Sequence, residues 1–196
     1  MLQLGRYKIF TDHIDTLHNL SADNGIPPRV EYVTGSQVRA VGFDRVKDEY
    51  TRQLHITNES SESVDALLNI RGVPTFIEFR NGFIKDKKKI KNKARDSLLI
   101  LCGIANKNIN YTRRYMDFIL VYNAAKNPMS TTEHCTVSGE SRMVTNDNSL
   151  DYICRYITKL SKGSFVRFGL ERLRVMYFKD VYTFTNNEFE DFLKNG

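Results

Sequence analysis

The sequence predicts an α+β protein, an antiparallel sheet with helices packed on one face. Three observations carry that prediction. Short runs in the first half alternate apolar and polar residues between turn residues, as hairpins do. The second half carries apolar residues at spacings of three and four, as amphipathic helices do. Strands gathered in one part of a chain and helices in another belong to the segregated class of mixed folds. A hairpin-rich part, 1–95, and a helical part, 96–196, are read as one domain, because 196 residues can enclose a single core.

Taken in order, residues 6–10 read as a short strand. Thr11 or Asp12 then caps a helix that turns Ile14, Leu17 and Leu20 inward and stops at Asn24-Gly25 and Pro27-Pro28. Residues 29–34 and 37–43 alternate on either side of Gly35-Ser36 and read as a hairpin, with 50–57 as a third strand. Arg29, Arg39, Arg45 and Arg52 fall among the polar positions, which would make one sheet face basic. Val64, Leu67 and Leu68 open a short helix ending at Gly72. The strongest hairpin signal is Val73-Pro-Thr-Phe-Ile-Glu-Phe79 followed by Arg80-Asn-Gly82, because Asn-Gly takes the left-handed conformations of a tight turn. Residues 85–95 read as a lysine-rich loop, 97–105 and 111–125 as packing helices, and 130–148 as a long polar loop. Thr185-Asn-Asn-Glu188 is a capping box that opens a C-terminal helix with Phe189, Phe192 and Leu193 docked on the body.

Composition narrows the function classes. The chain is 41% hydrophobic and 27% charged, without tryptophan, which is ordinary for a globular protein and excludes a disordered one. A formal charge of +6 favours an acidic partner, and nucleic acid is the commonest. Seven cations and one acid fall within 85–95: Lys85, Lys87, Lys88, Lys89, Lys91, Lys93 and Arg95 against Asp86. Such a run either grips phosphate, with an affinity that falls as salt rises, or is a solvated loop. Cys102, Cys135 and Cys154 are odd in number and far apart, so neither a disulfide framework nor a zinc site is suggested, and Cys102 and Cys154 read as core thiols. No signal peptide and no membrane-spanning run are evident, so the expected location is cytoplasmic, without a membrane partner. His13 and His18 lie five residues apart, share no helix face and read as solvated.

The most informative stretch is 149–163. Leu150, Ile153, Ile157 and Leu160 make one apolar helix face, with Ser149 to cap it and Gly163 to stop it. Tyr152 and Tyr156 stand one above the other on a second face, with Lys159 within reach of the Tyr156 hydroxyl. A phenol with a free pKa of about 10 is a poor nucleophile near neutral pH, and a lysine one turn away supplies an activating cation. The competing reading is a pair of half-buried tyrosines with their hydroxyls in water.

Tyr152-Ile-Cys-Arg-Tyr156-Ile-Thr-Lys159 resembles the Tyr-x-x-x-Tyr-x-x-Lys motif of rolling-circle replication initiators, the HUH endonucleases of the two-tyrosine branch. Phe165-Val-Arg-Phe-Gly169, with Arg172 beyond it, resembles the strand that follows the tyrosine helix in many phage members. The resemblance implies that Tyr156 or Tyr152 attacks a phosphate in single-stranded DNA, forms a transient 5′-phosphotyrosine link and nicks at an origin. It implies that Lys159 steadies the transition state, that Mg2+ or Mn2+ polarises the phosphate, and that Arg155 and Arg167 join the lysine run in holding nucleic acid. The family's metal strand, Pro-His-hydrophobic-His, falls on Pro74, where the histidine positions are Thr75 and Ile77. The metal ligands are therefore unknown, and Glu78, His55 and Glu31 are the residues able to substitute.

Three other readings compete. Ile70-Arg-Gly-Val-Pro-Thr-Phe with Phe79-Arg-Asn-Gly resembles the cis-proline hairpin of thioredoxins, but no Cys-x-x-Cys precedes it. Glu188-x-Glu190, after Arg71 and Ser130-Thr-Thr, has the order of an ADP-ribosyltransferase signature, but here the acids begin a helix. The third is a non-catalytic, virus-encoded protein that binds a host protein or RNA.

Overall fold

The computed structural model describes residues 2–26, 29–56, 61–128, 134–137, 140–143 and 166–194. Six strands form one sheet in the order β1-β4-β5-β6-β7-β10. They are β1 (Ile14–Thr16), β4 (Arg39–Gly42), β5 (Ala66–Ile70), β6 (Val73–Arg80), β7 (Asp117–Tyr122) and β10 (Asp180–Thr185). The first four run antiparallel to their neighbours, whereas β6, β7 and β10 run parallel. The fold is therefore α+β, as expected, around a mixed sheet. Parallel neighbours need long crossovers, and α4 (Lys87–Ala105) with α5 (Ile109–Tyr115) supplies the one between β6 and β7. Two short hairpins stand apart from this sheet, β2 (Ala22–Ile26) with β3 (Arg29–Tyr32), and β8 (His134–Val137) with β9 (Glu140–Met143).

Both faces of the sheet are covered. On one, Phe76, Phe118, Leu120 and Tyr122 meet Phe43 and Val46 of α3 (Phe43–Gln53) and Ile90, Ala94, Leu98 and Leu101 of α4. Aromatic edges organise this core, with Phe43 and Phe76 at 4.9 Å and nearly perpendicular. The intervening residues Ile77, Phe79, Ile119 and Val121 point to the opposite face and meet Leu17 of α2 (Leu17–Leu20) and Phe189 of α7 (Asn186–Lys194), which follows the short α6 (Glu171–Met176) and β10. The single helical layer expected from sequence is thus joined by a second, C-terminal one.

Several elements differ from their sequence reading, each for an identifiable reason. Residues 111–125 divide into α5 and the strand β7, whose six residues are all buried. A strand covered on both faces is apolar at every position, and periodicity cannot tell it from a buried helix. Residues 66–70, expected as part of a helix, form β5, because Arg71 and Gly72 adopt φ of 51° and 79° and turn the chain directly into β6. The hairpin turn thus precedes β6, and Asn81-Gly82 after it leads toward α4. The lysine run forms the first turns of that helix, with the Asp86 carboxylate accepting from the amides of Lys88 at 2.8 Å and Lys89 at 3.2 Å.

Residues 50–53 end α3, while β3 and β4 pair with β2 and β1 respectively. Arg45 and Arg52 lie on α3 and Arg29 and Arg39 in separate sheets, so the basic sheet face does not form. The first expected strand contains α1 (Lys8–Thr11), and β1 stands where the first helix was expected to begin. At the C-terminus the capping box is present: Thr185 N donates to Glu188 Oε2 at 2.8 Å, and Glu188 N to Thr185 Oγ1 at 3.3 Å.

Candidate functional site

Strand register creates the most unusual chemistry in the described residues. Ala66 pairs with Ile77, so Asp65, one residue earlier, stands opposite Glu78. Glu78 and Arg80 share the face that carries Phe76, and α4 crosses that face. Lys93 reaches from α4 between the two acids: its Nζ lies 3.3 Å from Asp65 Oδ1 and 3.0 Å from Glu78 Oε1. Arg80 Nη2 approaches Glu78 Oε1 to 2.8 Å. The amide of Phe79 donates to Asp65 Oδ2 at 2.6 Å, which fixes that carboxylate at the head of β5. Asp44, which accepts from the Ser63 hydroxyl, adds negative charge nearby.

Burial makes this cluster costly. The Glu78 side chain is 0% exposed, against 15% for Lys93 and 28% for Arg80. Burial first, and the neighbouring Asp65 charge second, push the Glu78 carboxyl up to about 8. Burial also raises the Asp65 carboxyl, opposed chiefly by Lys93. For Lys93, burial works against the ammonium, but the two carboxylates outweigh it and the net shift is upward. The pairing is imperfect: Glu78 Oε1 and both Nε and Nη2 of Arg80 are buried without a hydrogen bond, although ion-pair distances are met. Buried polar atoms with unused bonding capacity are uncommon, and here three belong to one ion-paired cluster.

Three members of the cluster, Asp65, Arg80 and Lys93, line a cleft of about 500 Å3 together with Lys85, Lys89 and Phe83. Glu78, fully buried, is not among the lining residues. Of the two acids only Asp65 lines the cleft, and Lys93 fills the space between them, so a hydrated Mg2+ or Mn2+, which can take a single carboxylate from the protein, would meet Asp65 alone. No group of three or more His, Cys, Asp and Glu able to hold a metal occurs among the described residues.

The residues expected from sequence distribute as follows. Tyr152, Tyr156, Lys159 and Arg155 lie outside the described residues. Lys85, Lys89 and Lys93 come together in the cleft, Lys93 as a half-shielded ion-pair partner of two acids. Lys87 and Lys88 are exposed on the first turn of α4, Lys91 is half-buried, and Arg95 is exposed and bonds Asp96 at 3.1 Å. Arg167 faces inward: 4% exposed, it donates to the carbonyls of Asn127 at 3.0 Å and Pro128 at 3.2 Å, with its guanidinium 4.9 Å from the Tyr122 ring centroid. It anchors a loop, because two carbonyls and an aromatic face already engage the planar fork.

Among the substitute metal ligands, Glu31 is held by Asn81 and Lys126, and His55 is exposed at the end of α3. Thr75 and Ile77 are buried in the sheet. His13 and His18 are half-buried, bonded to Glu49 at 2.7 Å and to the Thr34 carbonyl at 3.0 Å. Glu78 is the one substitute inside a chemical cluster, and the sequence does carry a signal for it. Phe-Ile-Glu-Phe sets an acid within an otherwise apolar run, where an unpaired acid is rarely tolerated. Asp65 carried no such signal, since only the strand register brings it opposite.

No helix among the described residues is long and apolar enough to cross a membrane. No protein-family model, curated protein or solved structure matches the chain.

Proposed function

We propose that the protein acts on nucleic acid, with single-stranded DNA the favoured substrate, and that the cleft over Asp65, Glu78, Arg80 and Lys93 is where a phosphodiester is bound and cut. The observation that carries this reading is the buried Asp65–Glu78 pair bridged by Lys93 beside the lysines of the cleft. Lys85 and Lys89 neutralise the phosphates on either side of the one in the cleft. Asp65, the acid that lines the cleft, would supply a single carboxylate to a hydrated Mg2+ or Mn2+, which would polarise a phosphoryl oxygen and lower the pKa of a bound water, while Glu78 holds Lys93 and Arg80 in place. Arg80, with a fork that is only partly satisfied, and Lys93 are placed to stabilise negative charge developing on the phosphoryl oxygens. The two acids keep those cations oriented before substrate arrives.

The test is a cleavage assay on end-labelled single-stranded and duplex oligonucleotides with Mg2+, with Mn2+ and with chelator. Cleavage should require the divalent ion and fall by more than about 100-fold in Asp65→Asn and in Glu78→Gln, with affinity within a few-fold of wild type. Cleavage undiminished in both variants overturns the reading. The Tyr152 to Lys159 motif supports a second reading, tyrosine-dependent nicking, and the same gel separates the two. That mechanism leaves a denaturation-resistant protein–DNA adduct that disappears in Tyr156→Phe. If neither single-stranded nor duplex DNA is retained at low salt, the non-catalytic interaction protein is favoured instead.

A further inference from the structure

Phe83 is 64% exposed and is one of the residues that line the cleft. Solitary exposed apolar residues are ordinary, but this one is held in place from both sides. Its neighbours Asn81 and Ile84 are 7% and 8% exposed. The Ile84 amide donates to Asn127 Oδ1 at 2.8 Å, and Asn127 Nδ2 donates to the Gly82 carbonyl at 3.0 Å. The Lys85 amide closes a tight turn onto the Phe83 carbonyl at 3.1 Å. Asn81 is tied on one side to Glu31 at 2.6 Å and on the other to Asn123 at 2.9 Å. The backbone under the ring is therefore fixed, and no aromatic ring among the described residues stacks on it.

Resting on the function proposed above, we infer that Phe83 is a stacking platform for an unpaired base next to the phosphate held in the cleft. The substrate class is then single-stranded nucleic acid or a frayed strand end, not continuous duplex. The reason is geometric. In a duplex each base face is covered by the next base pair and only edges and phosphates are presented, so a ring lining the cleft finds nothing to stack on. A single strand carries its base faces free, and an aromatic side chain beside a line of cations is the arrangement that binds such strands without regard to sequence. Arg80 and Lys85, which line the cleft with Phe83, supply those cations.

The chain contains no tryptophan, so Phe83→Trp provides a reporter without background. Binding is measured by fluorescence anisotropy in chelator, where no cleavage occurs, with a single-stranded oligonucleotide, its duplex and an abasic deoxyribose-phosphate chain of equal length. The single strand should bind wild type at least about ten-fold tighter than the duplex, and Phe83→Ala should lose most of that preference while its duplex affinity and melting temperature stay unchanged. In Phe83→Trp the indole emission should be quenched by the single strand and not by the abasic chain. Equal single-strand affinity in Phe83→Ala, or a single strand that binds Phe83→Trp without quenching it, overturns the inference. The two proposals fail separately. Quenching with cleavage indifferent to Glu78→Gln removes the proposed chemistry and keeps the platform, whereas Glu78-dependent cleavage indifferent to Phe83→Ala does the reverse.

Discussion

Glu78→Gln preserves the shape of the side chain and removes its charge, so it isolates what the buried acid does to stability. In the folded chain the carboxyl is pushed from 4.5 up to about 8, first by burial and then by Asp65. An acid with a raised folded pKa holds its proton more tightly folded than unfolded. Stability is therefore fully present below about pH 4.5 and falls as pH rises toward 8. At about 1.4 kcal/mol per pKa unit, the fall reaches about 3 kcal/mol by pH 7 and about 5 kcal/mol at completion. Because Glu78 titrates with Asp65 around the same ammonium, the fall belongs to the pair, and these figures are upper bounds. Urea unfolding at pH 5 and pH 7.5 measures it. Wild type should lose up to about 3 kcal/mol more than Glu78→Gln between the two conditions, with equal m-values. Asp117, pushed up to about 6 mainly by burial, contributes the same decline to both proteins and cancels in the difference. Identical pH dependence in the two proteins would refute the assignment of Glu78 as a carboxyl whose ionisation folding resists.

Two further predictions concern parts of the fold that position the site. Arg167→Ala leaves the Asn127 and Pro128 carbonyls without their donor and should cost about 2–4 kcal/mol in thermal or urea unfolding, with nucleic-acid affinity of the folded protein unchanged. A large affinity loss without a stability loss would return this arginine to the binding surface. Thr185→Ala removes the cap of α7, which carries Phe189 into the second core, and should cost about 1 kcal/mol, read as a drop of a few degrees in melting temperature.

Local chemistry was legible along the chain, and pairing was not. The Thr185-x-x-Glu188 box and the strand at 73–79 each rest on residues within one turn or one strand, and each appears where the sequence puts it, whereas the cation run, read as a loop, is drawn into the start of α4. The Phe118-Ile-Leu-Val-Tyr122 run defeated periodicity because a strand buried between two layers has no polar side to mark its period. Arg71-Gly72 and Asn81-Gly82 can both adopt left-handed conformations, and sequence alone favours Asn81-Gly82 as the turn. What chose between them is that β5 completes the sheet beside β6.

The amino-acid order by itself determined an α+β chain with a lysine-rich run, a capped C-terminal helix and an acid misplaced in an apolar strand. Only the tertiary structure decided that Asp65, Glu78, Arg80 and Lys93 form one ion-paired cluster beside the cleft. Their meeting depends on an antiparallel register and on a helix crossing one sheet face, and both are set by burying the apolar residues around them rather than by any preference of the charged residues themselves.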